Sequence, residues 1–383
     1  MPVRRPVGTR PDRHRRPSGC RTACGAGGSP SGGGTRAEGA VLTGIRILAD
    51  DLTGALDAAA PFATPEEPVH LSVDPSRTLG GAKRTASSES RDSPLPIALD
   101  AVRDSFARLL TGTDERTLWF KKVDSVLRGW PVEETLELMR LLGLPLCLFA
   151  PAFPEMGRRT IGGFHQTADQ ERPGLWEPAA IHDLLGAFQS AGARARLLGR
   201  DVAAAGILIG DAEEAADLRA LVGQVPKDGV LWAGSRGLAE ALCPPRRPIP
   251  CPRIGTIVVG TSHPVSRRQV QSLLQAGLAD LSLIDPVPAS RDAEETADQL
   301  RQAIRSLEHP GSRALIVVGG NTLATVLAAA EADALACLGE IAPGLPLSRI
   351  VGGRIAGVEL VTKSGGFGAA DLFMQLSPHW SYR

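Results

Sequence analysis

The sequence predicts an α/β fold, arranged as two α/β domains with mainly parallel sheets. Short apolar runs of strand length alternate with helix-forming stretches along most of the chain. The alternation occurs twice, on either side of Cys243–Arg253, where five of eleven residues are proline and a linker is expected. A length of 383 residues suits two domains, and an apolar fraction of 43% is enough for sizeable cores. The expected division is an extension over residues 1–40, a first domain over 41–243, a linker over 244–253 and a second domain over 254–383.

Residues 1–40 are rich in Gly, Pro, Ser and Arg and show no apolar period, so they read as a disordered extension. They lack the apolar centre of a secretory signal, and their Pro and Gly would spoil the amphipathic helix of a transit peptide. An untranslated leader is the other reading, with the natural start near Val41. The segment holds eight Arg against Asp12 and Glu38, which leaves the rest of the chain with 34 basic and 40 acidic residues, a net of about −6. That balance, with few aromatics, excludes a nucleic-acid footprint. No run of 18 apolar residues occurs, so no membrane-spanning helix is expected. Among the six scattered cysteines, Cys20 and Cys24 lack a second metal-ligand pair and Cys147 lies in an apolar run. The pattern suits a reduced, cytoplasmic protein.

In chain order, the first polar cluster follows the apolar run of Ile45, Ile47 and Leu48. Asp50 and Asp51 stand side by side where strand gives way to helix, the edge at which α/β folds bind ligands. Neither has a neighbouring Lys or Arg in sequence, and adjacent carboxylates repel unless a cation, a donor or a proton resolves the repulsion. The pair is a candidate for a metal, a sugar hydroxyl or general-base work. The plainer alternative is that Asp51 caps the following helix while Asp50 is solvated. Val69–Val73 reads as a strand and Leu95–Leu110 as a helix. The strand Leu118–Val123 runs into a second cluster, in which Lys122, Asp124, Ser125 and Arg128 fall within seven residues. Lys and Arg at a strand end can hold a carboxylate or phosphate, Arg bidentately; a surface ion-pair cluster is the alternative. Leu144–Ala150, a third strand, ends in the stiff loop 151–159, which presents Arg158. Gly206–Asp211 is a strand before a helix from Ala212 to Leu221, and Val230–Leu242 reads as strand, Gly-Ser turn and helix.

Beyond the linker, a strand over Gly255–Gly260 leads into Thr261, Ser262, His263 and Ser266, then a helix over Arg267–Ala276. Ala314–Val318 opens into Gly319, Gly320, Asn321 and Thr322 before a helix to Ala330. Val358–Phe373 reads as strand, Lys363, a loop with Gly365 and Gly366, and helix. Such turns let backbone N–H groups approach an anion at a helix N-terminus, so phosphate binding is expected. None matches GxxxxGK[ST] or GxGxxG, which disfavours an ordinary P-loop kinase and an ordinary Rossmann dehydrogenase.

Together these stretches resemble the four-carbon acid sugar kinase family, whose members phosphorylate threonate, erythronate and related tetronates with ATP. The matching segments are ADDLTGALD at 49–57, SESR at 88–91, KKVDSVLRG at 121–129, PAFPEMGR at 151–158, GSRGLAEAL at 234–242, GTSHPVSRRQ at 260–269, GGNT at 319–322, IAPGLPL at 341–347 and KSGGFG at 363–368. Each is weak alone; in this order, over nearly all of Ile45–Phe373, they are specific. The resemblance implies an acid-sugar-binding first domain, a nucleotide-binding second domain, an active site in the cleft between them, and ATP with Mg2+ as cofactors. It implies that Asp50, Asp51, Arg91, Lys122, Asp124, Ser125, Arg128 and Arg158 face the sugar acid. It also implies that Thr261, Ser262, His263, Ser266, Gly319, Gly320, Asn321, Thr322, Lys363, Gly365 and Gly366 hold ATP. Asp51 is the expected base toward the acceptor hydroxyl, Asp50 the group that orients substrate, and Asp124 the next candidate. The magnesium ligands are not identified, and a homo-oligomer is left open.

Five features depart from the family pattern. Asn321 stands where an acid is usual, Trp130 where a small polar residue is common, and Thr261 where Ser is usual; the segments after Ala63 and after Gly163 are short. A relative that binds ligands without turnover is therefore a second reading, and a 4-hydroxythreonine-type kinase a third. A haloacid-dehalogenase phosphatase would need carboxylates at i and i+2, and position 52 is Leu52. The KxDSxLRG form is closer to the threonate and erythronate members than to the oxo-tetronate ones.

Overall fold

The computed structural model describes residues 44–73, 80–114, 116–169, 172, 174–199, 202, 204–276, 282–290, 292–307, 313–376 and 378. The expected extension over 1–40, with Cys20 and Cys24, lies outside them.

The first part of the chain runs β1 (Gly44–Ala49), α1 (Leu52–Ala59), β2 (Val69–Ser72), β3 (Lys83–Ser87), α2 (Leu95–Leu109), β4 (Thr117–Lys122), α3 (Pro131–Leu142) and β5 (Leu146–Ala150). It continues through β6 (Arg158–Ile161), β7 (Phe164–Ala168), β8 (Trp176–Asp183), α4 (Leu184–Ser190), β9 (Ala195–Leu197), β10 (Gly206–Ile209), α5 (Ala215–Gln224), β11 (Val230–Gly234) and α6 (Arg236–Ala241). After the proline-rich segment come β12 (Ile254–Val259), α7 (Pro264–Gln275), β13 (Ser282–Ile284), α8 (Ala293–Ser306), β14 (Ala314–Val318), α9 (Gly320–Ala329), β15 (Ala334–Ala342), β16 (Leu345–Val351), β17 (Glu359–Lys363) and α10 (Leu372–Gln375).

Fourteen strands form one sheet, in the order β13-β12-β14-β17-β16-β15-β2-β3-β1-β4-β11-β5-β10-β9. Only three of its neighbouring pairs, β17–β16, β16–β15 and β15–β2, are antiparallel. The central strands β5, β11 and β14 are buried along their whole length, as expected of parallel strands covered by helices on both faces. The β15–β2 ladder, with Leu335 opposite Leu71 and Cys337 opposite Val69, joins the strands before the proline-rich segment to those after it. One apolar core follows this junction, containing Leu56, Val69 and Leu71 together with Val326, Leu335 and Cys337. Strands β6, β7 and β8 make a separate antiparallel sheet.

Several expectations shift. The helix after Thr261–Ser266 begins at Pro264, not Arg267, because proline is preorganised for the first helical position. The helix expected from Ala212 runs Ala215–Gln224, its start set by a capping box between Glu214 and Asp217. The proline-rich segment is extended, with Ile249 N–H donating to Glu340 O and Arg246 to Ala63 O.

Candidate functional site

The carboxyl ends of β1 and β4 and those of β12, β14 and β17 open onto one cavity of about 990 Å³. Its first wall is built on Asp50, Asp51 and Arg91. Arg91 Nε and Nη2 donate to the two oxygens of Asp50 at 2.7 and 3.0 Å, and its Nη1 and Nη2 donate to Asp51 at 2.9 and 2.8 Å. The cation that the sequence did not place beside the carboxylates thus arrives from the loop after β3. Burial would raise the Asp50 carboxyl, but Arg91, with Lys121 and Lys122, holds it below its usual value. Asp51 also caps α1, accepting from Gly54 N–H at 2.9 Å and Thr53 Oγ1 at 2.8 Å. The plainer sequence reading of Asp51 is therefore correct without displacing the other: the side chain caps the helix and lines the cavity.

A buried relay fixes this wall from behind. Lys121 Nζ lies 2.8 Å from Glu134, which accepts from Ser90 Oγ at 2.6 Å; Ser90 Oγ meets Ser88 Oγ, and Ser88 donates to Ala49 O. Trp130 donates to Ser93 O at 2.8 Å, so the departure at 130 steadies the loop carrying Arg91.

The loop after β4 supplies Asp124, Ser125 and Arg128. Arg128 grips Asp124 through two hydrogen bonds of 2.9 Å. Burial would raise the Asp124 carboxyl, but the bonds from Arg128 and the charge of Arg91 hold it far below the usual range. Leu127 takes a left-handed φ of 62°, strain of a kind found where the surroundings fix a functional loop. The small sheet braces it: Ser125 O accepts from His165 Nε2 and Val126 O from Ala180 N–H. Lys122 donates to Val123 O at 2.9 Å, and Arg158 to Met156 O. Among the described residues, no carboxylate forms a salt bridge with either Lys122 or Arg158, and Arg158 Nε is buried without a partner.

The second half forms the facing wall. Gly319, with φ 98°, is the N-cap of α9, and no side chain caps that helix. The N–H groups of its first turn are free to receive an acceptor. A Cβ on Gly320 would lie 3.7 Å from Asp51 Oδ2 and from Thr53 Oγ1, so the open end of α9 stands against the aspartate wall. Asn321 and Thr322 line the cavity beside it, as do Thr261, Ser262, His263, Gly365 and Gly366. Thr261 Oγ1 accepts from His263 N–H, and His263 Nδ1 accepts from Val265 N–H.

Two residues expected at the nucleotide site do not line the cavity. Ser266 is buried and donates to Gly365 O at 2.6 Å. Lys363 is buried with its Nζ turned to Ser266 Oγ, Ser364 O and Gly365 O. Burial in this uncharged surrounding draws its ammonium down to about 7.

Among the cavity residues that were not singled out from the sequence, Asp57, Arg236 and Glu89 carry charge close to the aspartate wall. Asp57 lies on the same face of α1 as Thr53, one turn on, and its carboxyl is raised by burial although Arg236 and Lys122 oppose this. Arg236, from α6, lies 3.5 Å from Asp57 and 2.7 Å from Glu340 on β15. Glu89 has a left-handed φ of 49°, and burial raises its carboxyl. The i+4 spacing of Thr53 and Asp57 was the available signal for the first; the other two become visible only once distant elements meet.

Among the described residues, no group of three or more His, Cys, Asp or Glu is placed to hold a metal ion, and no helix is long and apolar enough to cross a membrane.

With the site laid out, the chain can be compared with known proteins. Residues 45–191 match the family model of a sugar-binding N-terminal domain, and residues 287–373 match that of a nucleotide-binding C-terminal domain. A D-threonate kinase of Bordetella bronchiseptica is 30% identical over 86% of this chain and 96% of its own. A D-threonate kinase of Cupriavidus necator is 30% identical over 84% of this chain and 94% of its own. The chain belongs to the four-carbon acid sugar kinase family. The fold matches a solved Salmonella typhimurium structure with a TM-score of 0.68 at 18% identity, over 88% of this chain and 100% of that one. A Haemophilus influenzae structure gives 0.63 at 17%, over 87% and 99%.

Proposed function

We propose that the protein transfers the γ-phosphoryl group of ATP to a hydroxyl of a four-carbon sugar acid of the threonate or erythronate kind. The observation that carries this reading is the meeting of Asp51 with the open N-terminus of α9, inside a cavity lined on one side by carboxylates and cations and on the other by glycine turns. The names of the 30% identical relatives support the substrate class. In this reading residues 41–243 bind the acid, residues 254–383 bind the nucleotide, and 244–253 link them.

The roles follow from charge. Arg91, Arg128 and Arg236 are committed to carboxylates, so among the described residues that line the cavity the Lys and Arg left for the carboxylate of a sugar acid are Lys122 and Arg158. Asp51, held in one orientation by Gly54, Thr53 and Arg91, accepts the proton of the attacking hydroxyl; Asp50 fixes Arg91, and Asp124 holds Arg128 over the same wall. Phosphoryl transfer asks mainly for positioning and for donors on the phosphate oxygens. The free amides of α9 and the glycine loop supply those donors. Mg2+ fits as the ATP chelate, because it keeps waters and binds mainly through phosphates, and it would neutralise phosphate charge there. The four described cysteines are free, which supports a reducing, cytoplasmic setting.

Lys363 gives a test of the nucleotide side. In the free protein its ammonium loses its proton above about 7, whereas an ordinary lysine keeps it to 10.5. Phosphates against the loop favour the charged form, so ATP binding is expected to take up close to one proton between these limits, and affinity is expected to fall as pH rises through that window. Calorimetry in buffers of different ionisation enthalpy measures the uptake. Lys363→Ala is expected to abolish it and to raise KM for ATP far more than KM for the acid. Equal weakening of both ligands would contradict the division of labour.

A further inference from the structure

Five carbonyls of the glycine loop are held from inside the protein by three buried side chains. Lys363 Nζ donates to Ser364 O and Gly365 O, and Ser266 Oγ donates to Gly365 O. Gln269, one turn along α7 from Ser266 and fully buried, aims its Nε2 at Phe367 O, Gly368 O and Ala369 O, at 3.0, 3.1 and 2.8 Å. The sequence reading gave Gln269 no role. Its Oε1 is buried with no partner among the described residues. A buried amide with an orphaned oxygen costs stability that an apolar side chain of the same length would avoid, so its retention needs a reason in what the nitrogen does.

We propose that Gln269 is a positioning residue that sets the glycine loop for the phosphates of ATP. With the carbonyls drawn toward α7, the loop shows the cavity its amide side. The N–H groups of Gly365 and Gly366 have no acceptor among the described residues, and both glycines line the cavity beside His263. A Cβ on Gly366 would stand 3.2 Å from His263 Nε2, so the backbone approaches as closely as glycine permits. Successive free amides in a glycine turn make a concavity for an anion. A loop already fixed in this form pays no ordering cost when phosphate arrives. Gln269 acts through the loop and does not touch the ligand.

The inference rests on the reading that ATP phosphates occupy this loop, and the test separates the two. The full chain and its Gln269→Met variant, similar in length but without the donors, are compared by ATP calorimetry and by steady-state kinetics. KM for ATP is expected to rise about tenfold or more while KM for the sugar acid stays within about twofold. A residue that only supported the fold would lower the melting temperature and the active fraction, moving kcat but neither KM. An unchanged KM for ATP in the folded variant, or an equal rise in both KM values, overturns the proposal. If Gln269→Met does not fold, Gln269→Asn keeps an amide one methylene short and carries the same comparison, with the same selective rise expected and an unchanged KM for ATP overturning it. Failure of the wild type to bind ATP overturns the nucleotide reading and this inference with it; wild-type binding with an unaltered variant overturns the inference alone.

Discussion

Asp51→Asn is expected to lower turnover by at least about 100-fold while leaving the fold in place, the low end of the effect of a positioned general base. The two halves of this expectation have separate causes. The cap of α1 survives, because the Asn oxygen in the place of Oδ1 still accepts from Gly54 N–H, the amide nitrogen in the place of Oδ2 can donate to Thr53 Oγ1, and Asn caps helices as well as Asp does. Asp50 still binds Arg91 through two hydrogen bonds, so the guanidinium is not left unpaired. What disappears is the carboxylate beside the open end of α9 that is proposed to take the proton. The measurements are kcat and the melting temperature of the variant. Near-normal turnover would remove Asp51 as the base and move attention to Asp124.

Arg91→Met is expected to be the most destabilising of the site substitutions, by about 3–5 kcal/mol, as for removal of one partner from a buried ion pair. It deletes four charge-assisted hydrogen bonds and leaves the Asp50 carboxylate, 4% exposed, beside Asp51 with only the lysines of β4 to offset the repulsion. The sign with pH follows. In the wild type Arg91 holds Asp50 below its unfolded value of 3.8, so the pair contributes stability above that pH and loses it as pH falls through the folded value. Without Arg91, burial raises Asp50 above its unfolded value, and the variant's deficit shrinks toward acid. Denaturant unfolding at pH 7 and pH 4 reads this difference. Adding Asp50→Asn should recover part of the loss at pH 7. A variant as stable as the wild type, or a deficit that grows in acid, would contradict the clamp.

The parts of the site legible in the sequence are those written locally. Asp50, Asp51, Lys122, Asp124 and Arg128 each follow an apolar run at a strand end, and the glycine turns each sit between a strand and a helix. The pairing of Arg91 with Asp50 spans 41 residues, and no local pattern records it. The β2–β15 ladder is hidden for the same reason: β2 is four residues long, and its partner lies beyond the proline-rich segment. The proline run was read as a linker; backbone pairing between β2 and β15 carries the sheet across it. Lys363 was identified as a charge for phosphate because it precedes Ser-Gly-Gly; that it turns inward to the loop carbonyls depends on Ser266, 97 residues away. Gln269 was quoted only as the last residue of GTSHPVSRRQ and given no role, because a glutamine in a polar helix carries no signal of burial.

The measurement that bears most directly on the proposed phosphoryl transfer is ADP release by the full chain with ATP and magnesium, against D- and L-threonate, D- and L-erythronate, 3-oxo-tetronates and 4-hydroxythreonine. Turnover with a threonate or erythronate isomer is the expected result, and it would name the substrate. Silence across the panel while ATP still raises the melting temperature would contradict catalysis and leave a nucleotide-binding relative, with Asn321→Asp the first variant to examine.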